Sequence, residues 1–489
     1  MSIKKWAIAC LLVVFVTLSF HSGQAEAFSK GKPDPAAPPG TWYLGEDPPR
    51  KTGKPILFIH GLTGSASTWF EPNDMYKQAQ QAGHPTAFIN LHPDKSYWTN
   101  GALLAEKLAE MNQHFGEKII IVGHSKGGVD AQAALIHYNA EQYVSNVVTL
   151  GTPHHGSQLA NLAYSNWAGW LAEIIGMRSE GTDSLQTGTM ANFRAQTDAK
   201  VTSRSVPFAT LSGKSWGSFG SSLYFGGAYL QFYGTNDGAV SVTSSRLPYA
   251  AEIASLSLDH FDIAIGHRVF PDIRNQFTVN AAQTETENLV NEVSNQIVRG
   301  GEFSETGEQR FIIEEGVSSS TVSLLTSTEL TNTELVSPSG NIIPLSSVQP
   351  EHQESLFNGA VAHHFEMKQP ESGEWTIKMK QAGKNAFLAT IALEGGVSES
   401  IEPEQGNVLA QFDAVKIDLD ETTYSVHADD QLIVVDEPLD SVSIHSSALK
   451  PNTSQTLTVD IAGKTSTGEV FERTIIKHQY VDKNGVLYE

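Results

Sequence analysis

The sequence contains one cysteine among its 489 residues, and this residue, Cys10, lies in the first apolar stretch. A chain with a single thiol cannot form an intramolecular disulfide, so its domains must be held by apolar cores. Clusters of His and Cys with zinc-ligand spacing are also absent. After residue 20, no apolar run approaches the ~20 residues that a membrane-spanning helix needs, so we expect no transmembrane anchor.

Positive charge is scarce, and most of the imbalance lies in the C-terminal part of the chain. Residues 301–489 contain 30 Asp and Glu but 11 Lys and Arg, a net charge of −19 out of −22 for the whole chain. Residues 1–300 therefore have a net charge near −3. An acidic surface repels nucleic acids and anionic membranes, so we expect no nucleic-acid partner and a solvated surface in this part.

The N-terminus has the three parts of a secretory signal peptide. Two lysines are followed by an apolar stretch at residues 6–20 and an A-x-A cleavage site at Ala25-Glu26-Ala27. We predict that residues 1–27 are removed and that the protein is secreted to the extracellular space. Residues 28–50, rich in Pro and Gly, predict an extended lead-in.

Residues 51–300 alternate between short apolar strands and helical patterns. The helical pattern is clearest at residues 102–115, and Glu285–Val298 has the pattern of a closing helix. Continuous apolar strands with helices between them predict a mostly parallel sheet covered on both faces, an α/β catalytic domain. The strands are predicted at Pro55–Ile59, Thr86–Ile89, Lys118–Val122, Val144–Leu150, Pro207–Leu211 and Tyr229–Tyr233.

The pattern changes after Gly300. Residues 301–489 contain short strand-like runs separated by turn signals such as Pro338-Ser339-Gly340-Asn341, with no strong helical period. This pattern of short strands and turns predicts one or two β-sandwich-like modules. A soft boundary near residues 398–406 divides them into a first module at 301–400 and a second β-rich module at 401–489.

Ser125 is the candidate nucleophile. It occupies the centre of Gly123-His124-Ser125-Lys126-Gly127, a G-x-S-x-G pentapeptide between a predicted strand and an Ala-rich helix at 128–138. On such a sharp turn the serine hydroxyl stands clear of the backbone, and the glycines remove side chains that would collide around it. The pattern alone is weak, but this context gives it meaning.

An activated serine needs a base, an acid that orients the base, and an oxyanion hole. In the chain order expected for this fold, Asp237 is the candidate acid and His260 the candidate base. His267 is an alternative base, but its position beside an arginine is more typical of a surface histidine. The backbone amides of Lys126 and Leu62 are the candidate oxyanion donors, because they follow the nucleophile and the first strand.

Five segments together resemble the secreted bacterial true lipases of the α/β-hydrolase fold. The resemblance covers residues 55–270 and does not extend to the β-rich region. Lys126 departs from the Gln or Met common in these lipases, which leaves the acyl-chain preference open. The matching segments are His60-Gly61-Leu62-Thr63-Gly64, Gly123-His124-Ser125-Lys126-Gly127-Gly128, Gly151-Thr152-Pro153-His154-His155-Gly156-Ser157, Asn236-Asp237-Gly238 and His260-Phe261-Asp262.

The resemblance implies two further features. Residues 157–226, rich in Leu and Trp, are expected to form the acyl pocket and an apolar lid or cap, and a role as packed core remains equally open for their apolar helix. An Asp two residues after the catalytic His pairs with a second Asp in these lipases to bind calcium, and Asp262 and Asp183 hold the corresponding places. A structural calcium ion is therefore expected from the resemblance, whereas the chemistry itself requires no cofactor. Ordinary roles as a surface residue and a helix cap remain open for these two aspartates.

The sequence thus predicts a secreted carboxylic-ester hydrolase, most simply a lipase that cleaves acylglycerol esters, with a lipid or other ester as its partner. Two alternatives within the same class are a short-chain carboxylesterase and an extracellular polyester depolymerase. A third, from another class, is an inactive hydrolase-fold protein that serves in binding or adhesion. The sequence does not indicate what the β-rich modules bind.

Overall fold

The computed structural model describes residues 32–200, 205–278, 295–348, 356–357, 359–397, 399–404, 407–412, 417–428, 431–435 and 449–489. The predicted signal peptide and most of the predicted closing helix lie outside the described residues. We call residues 32–278 the N-terminal region and residues 295–489 the C-terminal region.

The N-terminal region contains a seven-stranded sheet with the strand order β1-β3-β2-β4-β5-β6-β7. β1 is antiparallel to β3, and all other neighbours are parallel. The mostly parallel sheet confirms the predicted α/β fold class. The strands are β1 Trp42–Leu44, β2 Ile56–Ile59, β3 Thr86–Ile89, β4 Ile119–His124, β5 Val144–Leu150, β6 Phe208–Gly213 and β7 Ala251–Leu256.

Helices cover this sheet, and local sequence signals set their ends. The side chain of Ser96 caps the second helix by accepting a hydrogen bond from the Thr99 amide, and Gly116 ends it with φ = 69°. Glycine adopts this left-handed conformation without steric cost. The helices are α1 Met75–Gln81, α2 Tyr97–Phe115, α3 Lys126–His137, α4 Gln158–Tyr164, α5 Gly169–Ile174, α6 Glu180–Asp183, α7 Thr187–Asp198, α8 Ser222–Leu230 and α9 Gly266–Ile273.

The central strand β2 is apolar at every position because both faces of the sheet are buried. In β2, Leu57 and Ile59 pack in the core formed with α2 and α3. Ile56 and Phe58, which point to the opposite face, pack in the core formed with α1 and α9. Successive residues of a strand face opposite sides, so a continuous apolar run is what a doubly covered strand requires.

Two predictions of secondary structure are wrong. Tyr229–Tyr233 is not a strand but the end of α8 followed by a 3-10 turn. Phe225, Tyr229 and Tyr233 are four residues apart, and all three are buried in one core, so the helical period determines the structure here. The predicted closing helix is also wrong at its end, because Gln296 to Val298 begin a strand.

The C-terminal region consists of antiparallel sheets, which confirms the predicted β-rich character. A seven-stranded sheet is followed by a two-stranded sheet and a five-stranded sheet. The first contains β8 Gln296–Ile313, β9 Val317–Thr326, β10 Asn332–Val336, β11 Ile342–Pro344, β12 Ser346–Val348, β13 Val361–Lys368 and β14 Gly373–Gly395. The others contain β15 Glu399–Glu404, β16 Asn407–Phe412, β17 Ile417–Ala428, β18 Gln431–Val435, β19 Thr453–Thr465, β20 Val470–Val481 and β21 Leu487–Tyr488.

The two regions share one apolar core. Side chains of α4, α5 and α8 pack directly against strands β8, β9, β14 and β20. The core residues from the N-terminal region include Leu162, Leu171, Phe225 and Tyr229, and those from the C-terminal region include Val298, Leu325, Phe357, Leu388 and Ile476.

Trp167, in the loop between α4 and α5, is a second point of contact between the regions. Its indole N–H donates to Asp460 at 2.9 Å, and the Arg299 guanidinium lies 5.4 Å from the ring centroid. Arg299 also pairs with Asp460 at 3.1 Å. A side chain at Gly300 would overlap the Trp167 carbonyl. The C-terminal strands therefore hold the loop between two helices of the cap.

Within the residues that the structure describes, every helix is too short or too polar to cross a membrane.

Candidate active site

Ser125 lies on a sharp turn between β4 and α3. Its φ of 52° is positive, a conformation uncommon for a residue with a side chain. The glycines around it are required by close approach. A Cβ at Gly127 would collide with the His60 carbonyl, and one at Gly123 would lie 2.9 Å from the Gly128 amide nitrogen. The turn therefore brings the Ser125 hydroxyl to the carboxyl end of the sheet, as the sequence predicts.

The three predicted triad residues meet in one hydrogen-bonded chain. His260 Nδ1 lies 2.8 Å from Asp237 Oδ2, and His260 Nε2 lies 3.0 Å from Ser125 Oγ. Because a carboxylate only accepts, Nδ1 carries the hydrogen and Nε2 accepts from the serine hydroxyl. The three residues come from three separate loops, and all three are buried.

Asp237 is held by its own loop. Its Oδ1 accepts hydrogen bonds from the amides of Ala239 at 3.0 Å and Val240 at 2.7 Å. Its backbone carbonyl accepts from the His260 amide at 2.9 Å. The predicted residue therefore contacts His260, although it follows a helix and a 3-10 turn where the sequence predicted a strand.

His267, the alternative base, lies outside this chain. Its side chain is 63% exposed and pairs with Asp74 at 3.1 Å. The structure therefore separates the two candidates by geometry, and His260 alone contacts Ser125 and Asp237.

The loop after β2 approaches the nucleophile closely. A Cβ at Gly61 would lie only 2.7 Å from that of Ser125, so glycine is required at this point. His60 fixes the loop, since its Nδ1 lies 2.8 Å from the Gly61 carbonyl and its Nε2 accepts from the Leu91 amide at 3.0 Å. Burial lowers the pKa of His60 to about 4, so this histidine is neutral near pH 7. Leu62 lines the cavity beside Ser125.

The Lys126 side chain points away from the cavity, although its amide follows the nucleophile directly. The ammonium group forms a buried ion pair with Asp130 at 2.6 Å, one turn along α3. Asn100 donates to the other oxygen of Asp130 at 3.0 Å. Burial raises the pKa of Asp130, and the Lys126 charge opposes that effect. The lysine side chain therefore takes part in the packing of α3 and does not contact the cavity around Ser125.

A cavity of about 720 Å³, including space open to solvent, surrounds Ser125 and His260. Its walls are mainly apolar, with Leu159, Leu185 and Leu223 from the predicted cap among them. Leu356 and Phe357 of the C-terminal region also line it. Nothing in the sequence signalled these two residues, because they lie more than 90 residues after His260 and follow no motif.

The two predicted calcium ligands have other partners. Asp262 forms an ion pair with Arg268 at 2.5 Å, and Asp183 accepts a hydrogen bond from Gln186 at 2.8 Å. Burial raises the pKa of Asp183, which disfavours its anionic form. Among the described residues, no group of three or more His, Cys, Asp or Glu side chains is arranged to hold a metal ion.

Comparison with known proteins agrees with the fold. A family profile described as a PGAP1-like alpha/beta domain matches residues 95–165. The chain is similar to the lipase BlEst2 of Bacillus licheniformis in propeptide form, at 37% identity and a TM-score of 0.81, over 93% of this chain and 100% of that chain. The mature form of that lipase is 51% identical over 50% of this chain and 100% of that chain, with a TM-score of 0.48.

Identity at this level over nearly the whole chain, with the same fold, is far above what shared architecture alone produces. The chain therefore belongs to the lipase family of the α/β-hydrolase superfamily, a family of carboxylic-ester hydrolases, and it includes the additional β-rich C-terminal region that the sequence predicts.

Proposed function

We propose that this protein is a secreted serine ester hydrolase of the lipase type, with Ser125 as the nucleophile. The observation that carries the proposal is the pair of hydrogen bonds through which His260 joins Ser125 at 3.0 Å and Asp237 at 2.8 Å. This arrangement can remove a proton from the serine hydroxyl as the hydroxyl attacks a carbonyl carbon.

The reaction then proceeds in two similar halves. Ser125 Oγ attacks the ester carbonyl while His260 Nε2 takes its proton, and the Asp237 carboxylate stabilises the imidazolium that forms. His260 gives the proton to the leaving alcohol as the acyl-enzyme forms. Water, deprotonated by His260, attacks the acyl-enzyme, and the proton returns to Ser125 as the acid is released.

The amides of Leu62 and Lys126 are the proposed donors to the oxyanion. Gly61 supports this assignment, because its lack of a side chain allows the loop after β2 to approach Ser125. Amides held in place before the reaction stabilise the developing negative charge without reorganising. The neutral His60, bonded to Gly61 and Leu91, keeps the loop in this position.

The apolar cavity supports an acyl group as the part of the substrate that it holds. Leu159, Leu185 and Leu223 offer an apolar wall next to Ser125, and burial of a chain against such a wall contributes about 0.8 kcal/mol per methylene. We therefore propose acylglycerol esters as substrates. Secretion is proposed from the signal-like sequence at residues 1–27.

Ser125→Ala tests the proposed nucleophile. Purified wild-type and variant proteins are compared on emulsified triglyceride, a soluble short-chain ester and a polyester film. We expect the variant to lose at least ~10³-fold in kcat on every substrate that the wild type cleaves. Equal rates would contradict the proposal, and a wild type inactive on all three would favour a binding role. The preferred substrate distinguishes lipase, carboxylesterase and polyester depolymerase.

We also propose that the C-terminal region is a propeptide that restricts access to the active site. The relative BlEst2, described in a propeptide form, matches this chain over 93% of its length. Leu356 and Phe357 line the cavity beside Ser125, and Phe357 also packs edge-to-face against Phe225 of α8, with ring centroids 5.0 Å apart. A wall built from a removable region would limit the space for substrate until that region leaves.

This second proposal is tested with a specific protease site inserted between Thr278 and Asn295 and cut after folding. We expect cutting and separation of the C-terminal region to raise kcat/KM for triglyceride by about tenfold or more, because the space for substrate is then no longer limited by this region. A tenfold change corresponds to only ~1.4 kcal/mol in the activation free energy. The uncut insertion protein is the matched control. Unchanged or lower activity after separation would contradict a restrictive role.

A further inference from the structure

His124, the residue before Ser125, takes no part in the proton transfers proposed above, yet its imidazole is firmly oriented. Its Nε2 lies 2.7 Å from the backbone carbonyl oxygen of His260. Because a carbonyl only accepts, Nε2 must carry the hydrogen. The side chain is 3% exposed, so water does not compete for this hydrogen bond.

The contact completes the support of the His260 backbone. The His260 amide donates to the Asp237 carbonyl at 2.9 Å, and the His260 carbonyl accepts from His124. One anchor comes from the loop of the acid and the other from the turn of the nucleophile. The imidazole of His260 must contact Ser125 and Asp237 at the same time. Hydrogen bonds to both the amide and the carbonyl of His260 fix the position of its backbone, and therefore the position of the imidazole relative to these two residues.

The protonation state of His124 suits this role. Burial, together with the neighbouring His260 and His60 rings, lowers the pKa of His124 to about 3. The ring is therefore neutral over the range in which an ester hydrolase operates. Its centroid lies 4.8 Å from that of His260, and a cation at this distance would oppose the imidazolium that the reaction forms on His260.

We propose that His124 is a positioning residue, whose Nε2–H holds the His260 carbonyl so that the imidazole of His260 stays aligned between Ser125 and Asp237. The proposal rests on the function proposed for Ser125. The Nε2–H of His124 is bonded to the His260 carbonyl, and its Nδ1 has no hydrogen-bond partner among the described residues, so the proposed effect acts through the backbone of His260.

Three substitutions separate the hydrogen bond from the volume of the ring. His124→Phe keeps a ring and removes the donor. His124→Gln extends an amide nitrogen to about the position of Nε2, whereas the shorter side chain of His124→Asn reaches only about as far as Nδ1. His267→Phe is the matched control, because His267 is exposed and lies outside the hydrogen-bonded chain.

The rate of Ser125 phosphonylation by a p-nitrophenyl phosphonate and the steady-state kinetics on a soluble ester measure the effect. We expect His124→Phe to lose about tenfold in both the phosphonylation rate constant and kcat, with KM nearly unchanged, because a His260 backbone without this hydrogen bond no longer keeps the imidazole aligned. His124→Gln should recover most of the rate and His124→Asn little. All folded variants should still release one nitrophenol per chain.

Several results would overturn the proposal. If His124→Phe has the same rates as wild type, the hydrogen bond has no positioning role. Equal rates for the Gln and Asn variants would show that the placement of the donor does not matter, even where the Phe variant fails to fold. A wild-type protein that releases no nitrophenol would instead contradict the proposal that Ser125 is the nucleophile, and the proposal for His124 would then have no basis.

Discussion

The N-terminal and C-terminal regions both bury ionisable groups, but with different surroundings. In the N-terminal region, Asp237 has both carboxylate oxygens occupied, one by His260 and the other by the amides of Ala239 and Val240. His260 faces the cavity that surrounds Ser125. The buried charge is therefore connected through one imidazole to a space that a substrate can enter.

In the C-terminal region, the most deeply buried ion pair joins two sheets. Arg473 of β20 pairs with Glu314, which follows β8, and both side chains are fully buried. Arg473 also donates to the Val397 carbonyl at 2.5 Å. Neither charged residue lines the cavity around Ser125.

The comparison shows that burial alone does not identify a functional charge. The side chains of Arg473 and Glu314 are at least as buried as that of Asp237, yet they connect packed strands and do not line the cavity around Ser125. What distinguishes the Asp237 site is its location at the carboxyl end of a parallel sheet, where loops converge on an open space.

Asp237→Asn should have the largest effect, because it breaks the connection between the buried charge and the cavity. An amide at this position favours the wrong tautomer of His260 and cannot stabilise its imidazolium, so we expect kcat to fall by about 10⁴-fold. The melting temperature should change little, since the amide oxygen can still accept from Val240. Steady-state kinetics and a thermal melt measure the two effects, and a variant with normal kcat would contradict the role of Asp237.

Arg473→Met should lower the free energy of unfolding by about 3 kcal/mol, because it leaves the Glu314 carboxylate buried without its partner. Hydrolysis of a soluble ester by the folded protein should be unchanged. Denaturant unfolding of the variant is compared with that of the double variant Arg473→Met, Glu314→Leu. The double variant should recover much of the lost stability, and if it is as unstable as the single variant, the unpaired charge is not the cause.

His478 tests how the C-terminal region responds to acid. Burial lowers its pKa to about 3, and neither ring nitrogen has a hydrogen-bond partner among the described residues. The unfolded chain therefore takes up the proton first, so stability is full above pH 6.5 and falls as the pH decreases toward 3. Between pH 6.5 and 5 this histidine should remove roughly 2 kcal/mol.

Unfolding measured at both pH values should show a smaller loss for His478→Met than for wild type. His267→Gln is the matched control, because it removes a histidine whose side chain is exposed. If His478→Met loses as much stability on acidification as wild type, His478 is not a source of acid sensitivity.

Removal of calcium should have the smallest effect. Asp262 is already paired with Arg268, and burial raises the pKa of Asp183, so neither carboxylate is well suited to a divalent cation. We expect the melting temperature to be the same in chelator and in added calcium. A higher melting temperature in calcium would instead support the site that the resemblance implies, and loss of the shift in Asp262→Asn would locate it.

The residues of the candidate site were predictable because their signals are local. The glycines around Ser125 indicate a tight turn that only small residues permit, and the five-residue motif is enough to predict this turn. His260 and Asp237 follow from chain order in the fold. The structure brings Asp237 into contact with His260, but the predicted strand before it is wrong, since Tyr229–Tyr233 is helix and 3-10 turn.

Other features depend on contacts between distant parts of the chain. Lys126 follows the nucleophile, but only the fold shows that its side chain pairs with Asp130 and leaves the cavity. The chemical type of His124 is visible in the motif, whereas its partner, the His260 carbonyl, lies 136 residues away. No periodicity or spacing specifies such a pairing.

The sequence by itself determined the α/β class of the N-terminal region, the β-rich character of the C-terminal region, and the identity of the triad candidates. These follow from local requirements, namely the period of apolar residues and the sterics of a tight turn. Only the tertiary structure decided that Leu356 and Phe357 reach the cavity and that the two regions share a core. Packing between distant segments depends on how their surfaces fit together, and the local pattern of residues in the sequence does not specify that fit.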